Sequence, residues 1–280
     1  MELNVPKIKE RMRHLLIYSI LLLGLFATLT PFVWMISTSF KTQGAVFTTP
    51  PQWVPKPFTF QQYVKLFREV NFLLHFKNSL FVSLIVTFFS LFINSLAGYA
   101  FAKYRFPGRD KIFTILLGAI MIPGQVTMMP VFIMLKRLGM LNSYWGLIIP
   151  CSASVFAIFL MRQFIYSIPD DLIDAARIDG CSDFAIYWKI ILPLCKPVLA
   201  TLGIFTFMSS WNDFLWPLII MIREDMYTLP VALANLNGQH ATEYALLMAG
   251  SMVVVLPVII IFLFAQKYVI KGISTTGLKG

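Results

Sequence analysis

Six apolar runs decide what this chain can become. They lie near Leu15–Ile36, Asn78–Ala102, Ile112–Leu135, Tyr144–Met161, Val198–Ile222 and Tyr244–Ala265, and almost no charge interrupts them. Each is about 18 to 25 residues long, enough to cross a hydrocarbon layer about 30 Å thick. Lipid offers the backbone no hydrogen-bond partner, so such a run must be helical. Charged residues are 13% of the chain against about 25% in a soluble domain, which also points to a membrane protein. The expected fold class is all-α, a polytopic membrane protein with six transmembrane helices.

The basic start, with Lys7, Lys9, Arg11 and Arg13, resembles the head of a secretory signal. However, the apolar run that follows exceeds the usual core of about 7–15 residues, and no small-x-small cleavage site appears before "TPFVWM". A retained first helix is expected. With six spans, 15 of the 23 Lys and Arg residues fall on the side that holds both termini, against 8 on the other. The positive-inside rule then places both termini in the cytoplasm of a cell-membrane protein. The net charge of +10 reads as topology and contact with membrane lipid, not as nucleic-acid binding.

Several chemistries lack their residues. Cys151, Cys181 and Cys195 form no CxxC pair, and His14, His75 and His240 form no HExxH, so no metal site or disulfide framework is indicated. No GxxxxGK[ST] phosphate cradle and no GxSxG elbow occurs. An ion-driven carrier needs several buried ionisable groups. Asp213, in "SSWNDFLWP", is the one acid that falls inside a span. It is either a functional group facing protein or water, or a side chain bonded near the outer interface. The chain is therefore expected to form a pathway or a scaffold whose energy comes from another protein.

Two connecting segments carry structure. The first outward loop is rich in Pro, Thr and aromatics, and "TFQQYVKLFREV" within it predicts a short amphipathic helix capped by Thr59. It serves either as a connector or as a platform for a soluble partner. In the third run, Pro123, Gly124 and Pro130 predict a kink. The second segment, "YSIPDDLIDAARIDGCSDFAIYWKIILP", lies on the cytoplasmic side. Ser167 can cap a helix whose first turn holds Pro169, Asp170 and Asp171. Leu172, Ile173, Ala176 and Ile178 form its apolar face, and Ala175 with Ala176 permits close approach of another surface. Gly180 falls where a left-handed residue ends a helix, and Ser182 with Asp183 caps a second one. An acidic polar face suits a basic protein groove better than a lipid surface, which favours Lys and Arg.

Asp174-Ala175-Ala176, three residues, Gly180, nine residues and Ile190-Ile191-Leu192-Pro193 resemble the "EAA…G…I-x-L-P" loop of permease subunits of binding-protein-dependent ABC importers. Asp stands where Glu is usual, and Cys181 where a small residue is common. "AGYAFAKYRFPGRDK", "SSWNDFLWPLI" and "QKYVIKGISTTGLKG" are similar to the carbohydrate-uptake branch, to the smaller permease of the maltose and glycerol-phosphate systems.

That resemblance implies the ABC importer permease fold. Its parts are a cytoplasmic N-terminus (1–14), a first helix (15–36), an extracytoplasmic loop (37–77), a permease core (78–266) with a coupling loop at 166–195, and a cytoplasmic tail (267–280). It implies a sister permease, two ATPase domains and an extracytoplasmic solute-binding protein. This chain would hold no cofactor, with ATP and Mg on the ATPase, and would not be an enzyme. Asp174, Ala175, Ala176, Arg177, Asp179, Gly180 and Pro193 would couple to the ATPase. Trp211, Asn212 and Asp213 would line the translocation path, and Asn237, Gly238 and Gln239 would meet the binding protein. The competing readings are an ATP-independent channel or facilitator whose loop is merely structural, and a membrane-embedded enzyme, which the missing constellations disfavour.

Overall fold

The computed structural model describes residues 5–239 and 243–276, with side chains over 10–236, 243–264 and at 266, and all its regular elements are helical. In order they are α1 (Val5–Ser39), α2 (Gln61–Arg68), α3 (Phe72–Lys103), α4 (Arg109–Ala119), α5 (Gly124–Arg137), α6 (Tyr144–Cys151), α7 (Val155–Tyr166), α8 (Asp170–Ile178), α9 (Asp183–Ile186), α10 (Leu192–Leu194), α11 (Lys196–Trp211), α12 (Leu215–Ile220), α13 (Leu229–Gln239) and α14 (Tyr244–Thr276). A π-helical turn, Tyr187–Ile191, joins α9 to α10. The chain divides into two compact units. One runs to Asn71 and includes Asn235–Val255; the other is Phe72–Ala234 with the chain from Leu256 onward.

In the first unit, the most apolar stretch of α1 is 0% buried, so lipid or a partner subunit must replace water around it. The segment after α1 folds back on itself. Ser37 Oγ donates to the Trp53 carbonyl at 2.6 Å, and Lys41 Nζ donates to that of Gln52 at 2.5 Å. The Lys41 ammonium also sits 4.1 Å from the centre of the Trp34 ring, and its burial pushes its pKa down. Phe40 stacks on Phe58 and meets Phe60 and Tyr63 edge-on or tilted. The predicted amphipathic helix is α2, which buries Leu66 and turns Val64 outward. Thr59 Oγ1 accepts the Gln61 N–H, although Phe60 holds the cap position. Lys65 and Glu243 pair at 2.7 Å, and Gln43 Oε1 accepts the Ala245 N–H. This loop is thus a folded cap, not a slack connector.

In the second unit α3 is the spine, packed by α7 and α11. Tyr99, Ala157, Met161, Ile165 and Leu202 meet in one buried cluster. Gly98 permits the α3–α7 approach: a Cβ placed there would lie 2.6 Å from Met161 Cβ and 3.0 Å from the Arg162 nitrogen. A second cluster joins α3 to α5, α6 and α12 through Val82, Val86, Leu135, Leu147, Trp216 and Ile220.

Three of the expected spans are continuous: Glu10–Ser39, Phe72–Lys103 and Tyr244–Phe264 each suffice to cross a membrane. The other three differ from the sequence reading. The run Ile112–Leu135 bends as expected but far more sharply than a kink, as α4 and α5 at 104°. The amides of Ile120, Met121 and Ile122 tighten onto carbonyls three residues back, and Pro123 supplies no N–H to resume the ladder. The fourth run breaks at Ser152–Ser154 by 43°. There the freed Ser154 N–H donates to Asn94 Oδ1 of α3 at 3.0 Å, and Ser154 Oγ accepts the Ala157 N–H. The fifth run begins at Lys196, after an 80° bend from Asp183–Leu194, and breaks again between Trp211 and Leu215. By length and composition the described residues thus hold between three and six spans.

Replacing Gly98 with Val should cost about 1–3 kcal/mol by overpacking against the α7 backbone. Thermal unfolding of the detergent-solubilised protein measures it, and an unchanged midpoint would contradict the contact.

Candidate functional site

The loop between α7 and α11 is built by local chemistry. Ser167 ends α7, donating its Oγ–H back to the Phe164 carbonyl, so it does not cap α8 as the sequence suggests. Pro169 occupies the cap position of α8, with no side-chain bond to the first turn. The end of α8 is a Schellman turn. Gly180 takes φ +80°, its N–H donates to the Arg177 carbonyl at 3.0 Å, and the Cys181 N–H reaches that of Ala176 at 2.9 Å. Ser182 then caps α9 by accepting the Ala185 N–H. Arg177 crosses the turn to Asp183 at 3.2 Å and lies 3.6 Å from Asp174.

Burial splits the loop into two faces. Ile173, Ala176, Ile186, Tyr187 and Ile191 join the α3–α7–α11 core. Asp174, Ala175, Arg177, Asp179 and Gly180 are exposed, as is Pro193. The Ala175–Ala176 pair is therefore not one outward patch: Ala176 packs into the chain's own core and Ala175 faces away. Ile178, which the sequence places on the inward face, is 87% exposed. At about 100° per residue it stands about 140° from Ile173, a phase that a helical projection would have revealed. Leu172 and Phe184 are exposed as well.

Lys103, at the end of α3, escaped the sequence reading. Its side chain is 6% exposed, and Nζ donates to the Ile168 carbonyl at 2.5 Å and to Asp170 Oδ1 at 2.6 Å. That hydrogen bond holds the Asp170 carboxyl below the usual aspartate range. A lowered native pKa adds stability above the unfolded-state value, which is lost as pH falls through the native one.

The polar patch in the fifth run is a helix break. Asp213 lies outside both helices, contrary to the expectation of an acid within a membrane helix. The break frees the N–H groups that open α12, and the Asp213 carboxylate accepts that of Trp216 at 3.4 Å. Asp213 lines a small cavity with Ser79, Cys151, Ser210 and Thr228. Asn212 is exposed and donates to the Met208 carbonyl. Trp211 is fully buried, stacked on Phe207 and edge-on to Phe76, so only Asn212 and Asp213 of the three reach a surface. Asn237, Gly238 and Gln239 close α13, and their side chains lie outside the described residues.

A second polar set fixes the loop between α12 and α13. Asn142, at φ +54°, accepts the N–H groups of Ile222 and Arg223 on Oδ1, each at 3.0 Å. Asn78 donates to the carbonyls of Asp225 and Tyr227 while its Oδ1 accepts the Tyr144 hydroxyl.

The family described as binding-protein-dependent transport system inner membrane component matches residues 94–275. The chain is 39% identical over 227 residues, 81% of each protein, to the arabinooligosaccharides transport system permease protein AraQ of Halalkalibacterium halodurans. It is 30% identical over 265 residues to the lactose transport system permease protein LacG of Rhizobium radiobacter, covering 95% of this chain and 96% of that one. Among solved structures, it superposes with TM-score 0.84 and 26% identity on a chain of a bacterial ABC transporter involved in the import of the acidic polysaccharide alginate. That match covers 93% of this chain and 97% of the other.

Both Arg177 ion pairs are exposed, so Arg177→Ala should change stability by less than about 1 kcal/mol. Gly180→Leu forces a branched side chain into the left-handed region and should cost about 1–2 kcal/mol locally. Amide exchange across 176–186 should rise clearly in the second variant only. The same exchange in both would show that the turn does not depend on glycine.

Proposed function

The chain belongs to the inner membrane components of binding-protein-dependent transport systems, as an ABC transporter permease for carbohydrate, and on that premise we propose how it is coupled to its partners. It forms, with a sister permease, the pathway for a sugar or related solute across the cell membrane. Hydrolysis of ATP, with Mg, occurs on two separate ATPase domains. The loop at 166–195 docks in a cleft of the ATPase, and ATP binding there shifts the pathway between outward and inward access.

The observation that carries this reading is the exposed face of α8. Ile178 stands 87% exposed beside Ala175, between the acidic residues Asp174 and Asp179, on a turn made rigid by Gly180. A large aliphatic side chain in that position, almost wholly uncovered by the described residues, suits a protein socket with basic edges. The carboxylates fix register and steer the encounter, while the apolar anchor supplies affinity. The buried partners of α8, Ile173 and Ala176, hold that face at a set angle to α3. In this reading Asp174, Ala175, Arg177, Asp179, Gly180 and Pro193 shape the contact, and Ala176 supports it from within.

The cap around Lys41 and α2 faces the outer side, with both termini in the cytoplasm, a reading that the excess of Lys and Arg on that side supports. A solute-binding protein delivers the sugar there, and Asn237, Gly238 and Gln239 are its proposed contacts. Asn212 and Asp213 offer polar groups to the path. Relatives carry names for arabinooligosaccharides and lactose, so arabino-oligosaccharides and lactose are the first solutes to try.

Reconstitution into vesicles with the ATPase and binding protein should give ATP-dependent sugar uptake. Equal uptake by this chain alone, without ATP, would establish the facilitator reading instead. Ile178→Asp should reduce co-purification of the ATPase about tenfold or more while membrane insertion stays normal. Undiminished co-purification would remove α8 from the interface.

A further inference from the structure

We propose that Lys103 and Tyr187 are positioning residues that pin the coupling loop to α3 at two points, making that helix the lever through which loop movement enters the membrane. The proposal rests on the docking role given above and concerns what lies behind the docking face.

The two pins grip opposite ends of the loop. Lys103 Nζ bonds the Ile168 carbonyl and the Asp170 carboxylate, one residue on either side of Pro169, where α8 begins. Tyr187, 1% exposed, places its hydroxyl 2.7 Å from Ser95 Oγ, just after α9. The π turn starting at Tyr187, closed by the Leu192 N–H on the Tyr187 carbonyl, inserts an extra residue and sets the direction in which that side chain leaves.

Ser95 and Lys103 both belong to α3 and lie eight residues apart, about 12 Å along its axis. One attachment would leave the loop free to pivot. Two attachments that far apart fix its orientation to the helix as well as its position. Between them Tyr99 and Ala102 pack on Ile173, Ala176 and Ile186.

Packing alone does not account for an ammonium at this place. The Asp170 side chain is 75% exposed, so water screens the ion pair and it adds little stability, whereas its directional bonds select one arrangement. Ser95 Oγ also donates to the Leu91 carbonyl, so the Tyr187 hydroxyl is not needed to satisfy it. Both pins are thus placed to hold register rather than to keep the chain folded.

The test uses the full importer in vesicles, with its ATPase and binding protein. It compares wild type with Lys103→Met, Lys103→Arg, Tyr187→Phe and the Lys103→Met/Tyr187→Phe double variant. Met keeps the stem of Lys, and Phe removes one hydroxyl, so ATPase co-purification and ATP hydrolysis should persist. Solute moved per ATP hydrolysed should fall about tenfold in the double variant and less in each single one, with Lys103→Arg close to wild type. Amide exchange over 168–180 should rise in Lys103→Met. Wild-type solute per ATP in the double variant overturns the proposal, and so does lost co-purification in the singles, which would make the pins mere scaffold. A wild-type complex without ATP-driven uptake sinks the importer reading instead. Unchanged exchange over 168–180 in Lys103→Met then still overturns the pins independently.

Discussion

A bilayer supplies no water to a broken helix, and the second unit is organised around that shortage. Each interruption frees backbone N–H and C=O groups that only the protein can satisfy. The break before α7 is met by Asn94, which also donates to Ser90 within α3. The turn after α12 is met by Asn142, and the segment after it by Asn78. Asp213 accepts the opening amide of Trp216, whose indole N–H reaches the Gly146 carbonyl. Asn78, Asn94 and Asp213 look like scattered polar flaws in apolar runs, yet they hold the backbone where the chain breaks or turns. Bent helices, unlike straight ones, leave a polar cavity such as that beside Asp213.

The same economy governs the coupling loop. Its inward residues belong to the core that α3, α7 and α11 share, so the loop is an extension of that core and not an appendage. Its outward residues are then free to be unusual. An aliphatic side chain left bare would be a liability on a soluble surface, but it becomes a recognition element once a partner covers it. Gly180 separates the two roles. It ends α8 without a side chain of its own, and nothing lies within 4 Å of the Cβ it lacks. Its requirement is conformational, because the left-handed turn releases the chain into α9 within two residues.

Much of this was legible in order along the chain, and the reasons differ by residue. The end of α3, the amphipathic α2 and the glycine turn follow from apolar length, periodicity and the φ preference of glycine, which are local properties, whereas α3 starts at Phe72, six residues before the apolar run. The breaks at Ser152–Ser154 and Asn212–Phe214 were not legible. Polar residues there are compatible with a straight helix; at the first break the partner for the freed amide, Asn94, is 60 residues away, and at the second Asp213 itself accepts the Trp216 amide, a bond that a straight helix would not need. Lys103 escaped for a related reason: at the end of an apolar run a lysine reads as an interfacial anchor, and only its distance to Ile168 and Asp170 reveals burial. Ile178 was misplaced by phase alone.

The sequence by itself determined that the chain is an all-helical membrane protein and marked the loop that identifies its family, because hydrocarbon thickness and helix capping act over one run or one turn. Tertiary structure decided which runs stay straight, which face of α8 is bare, and what the loop is fastened to. Those outcomes depend on whether a group from a distant helix arrives to satisfy an amide, accept an ammonium or cover a methyl group, and no local property of a run specifies that arrival.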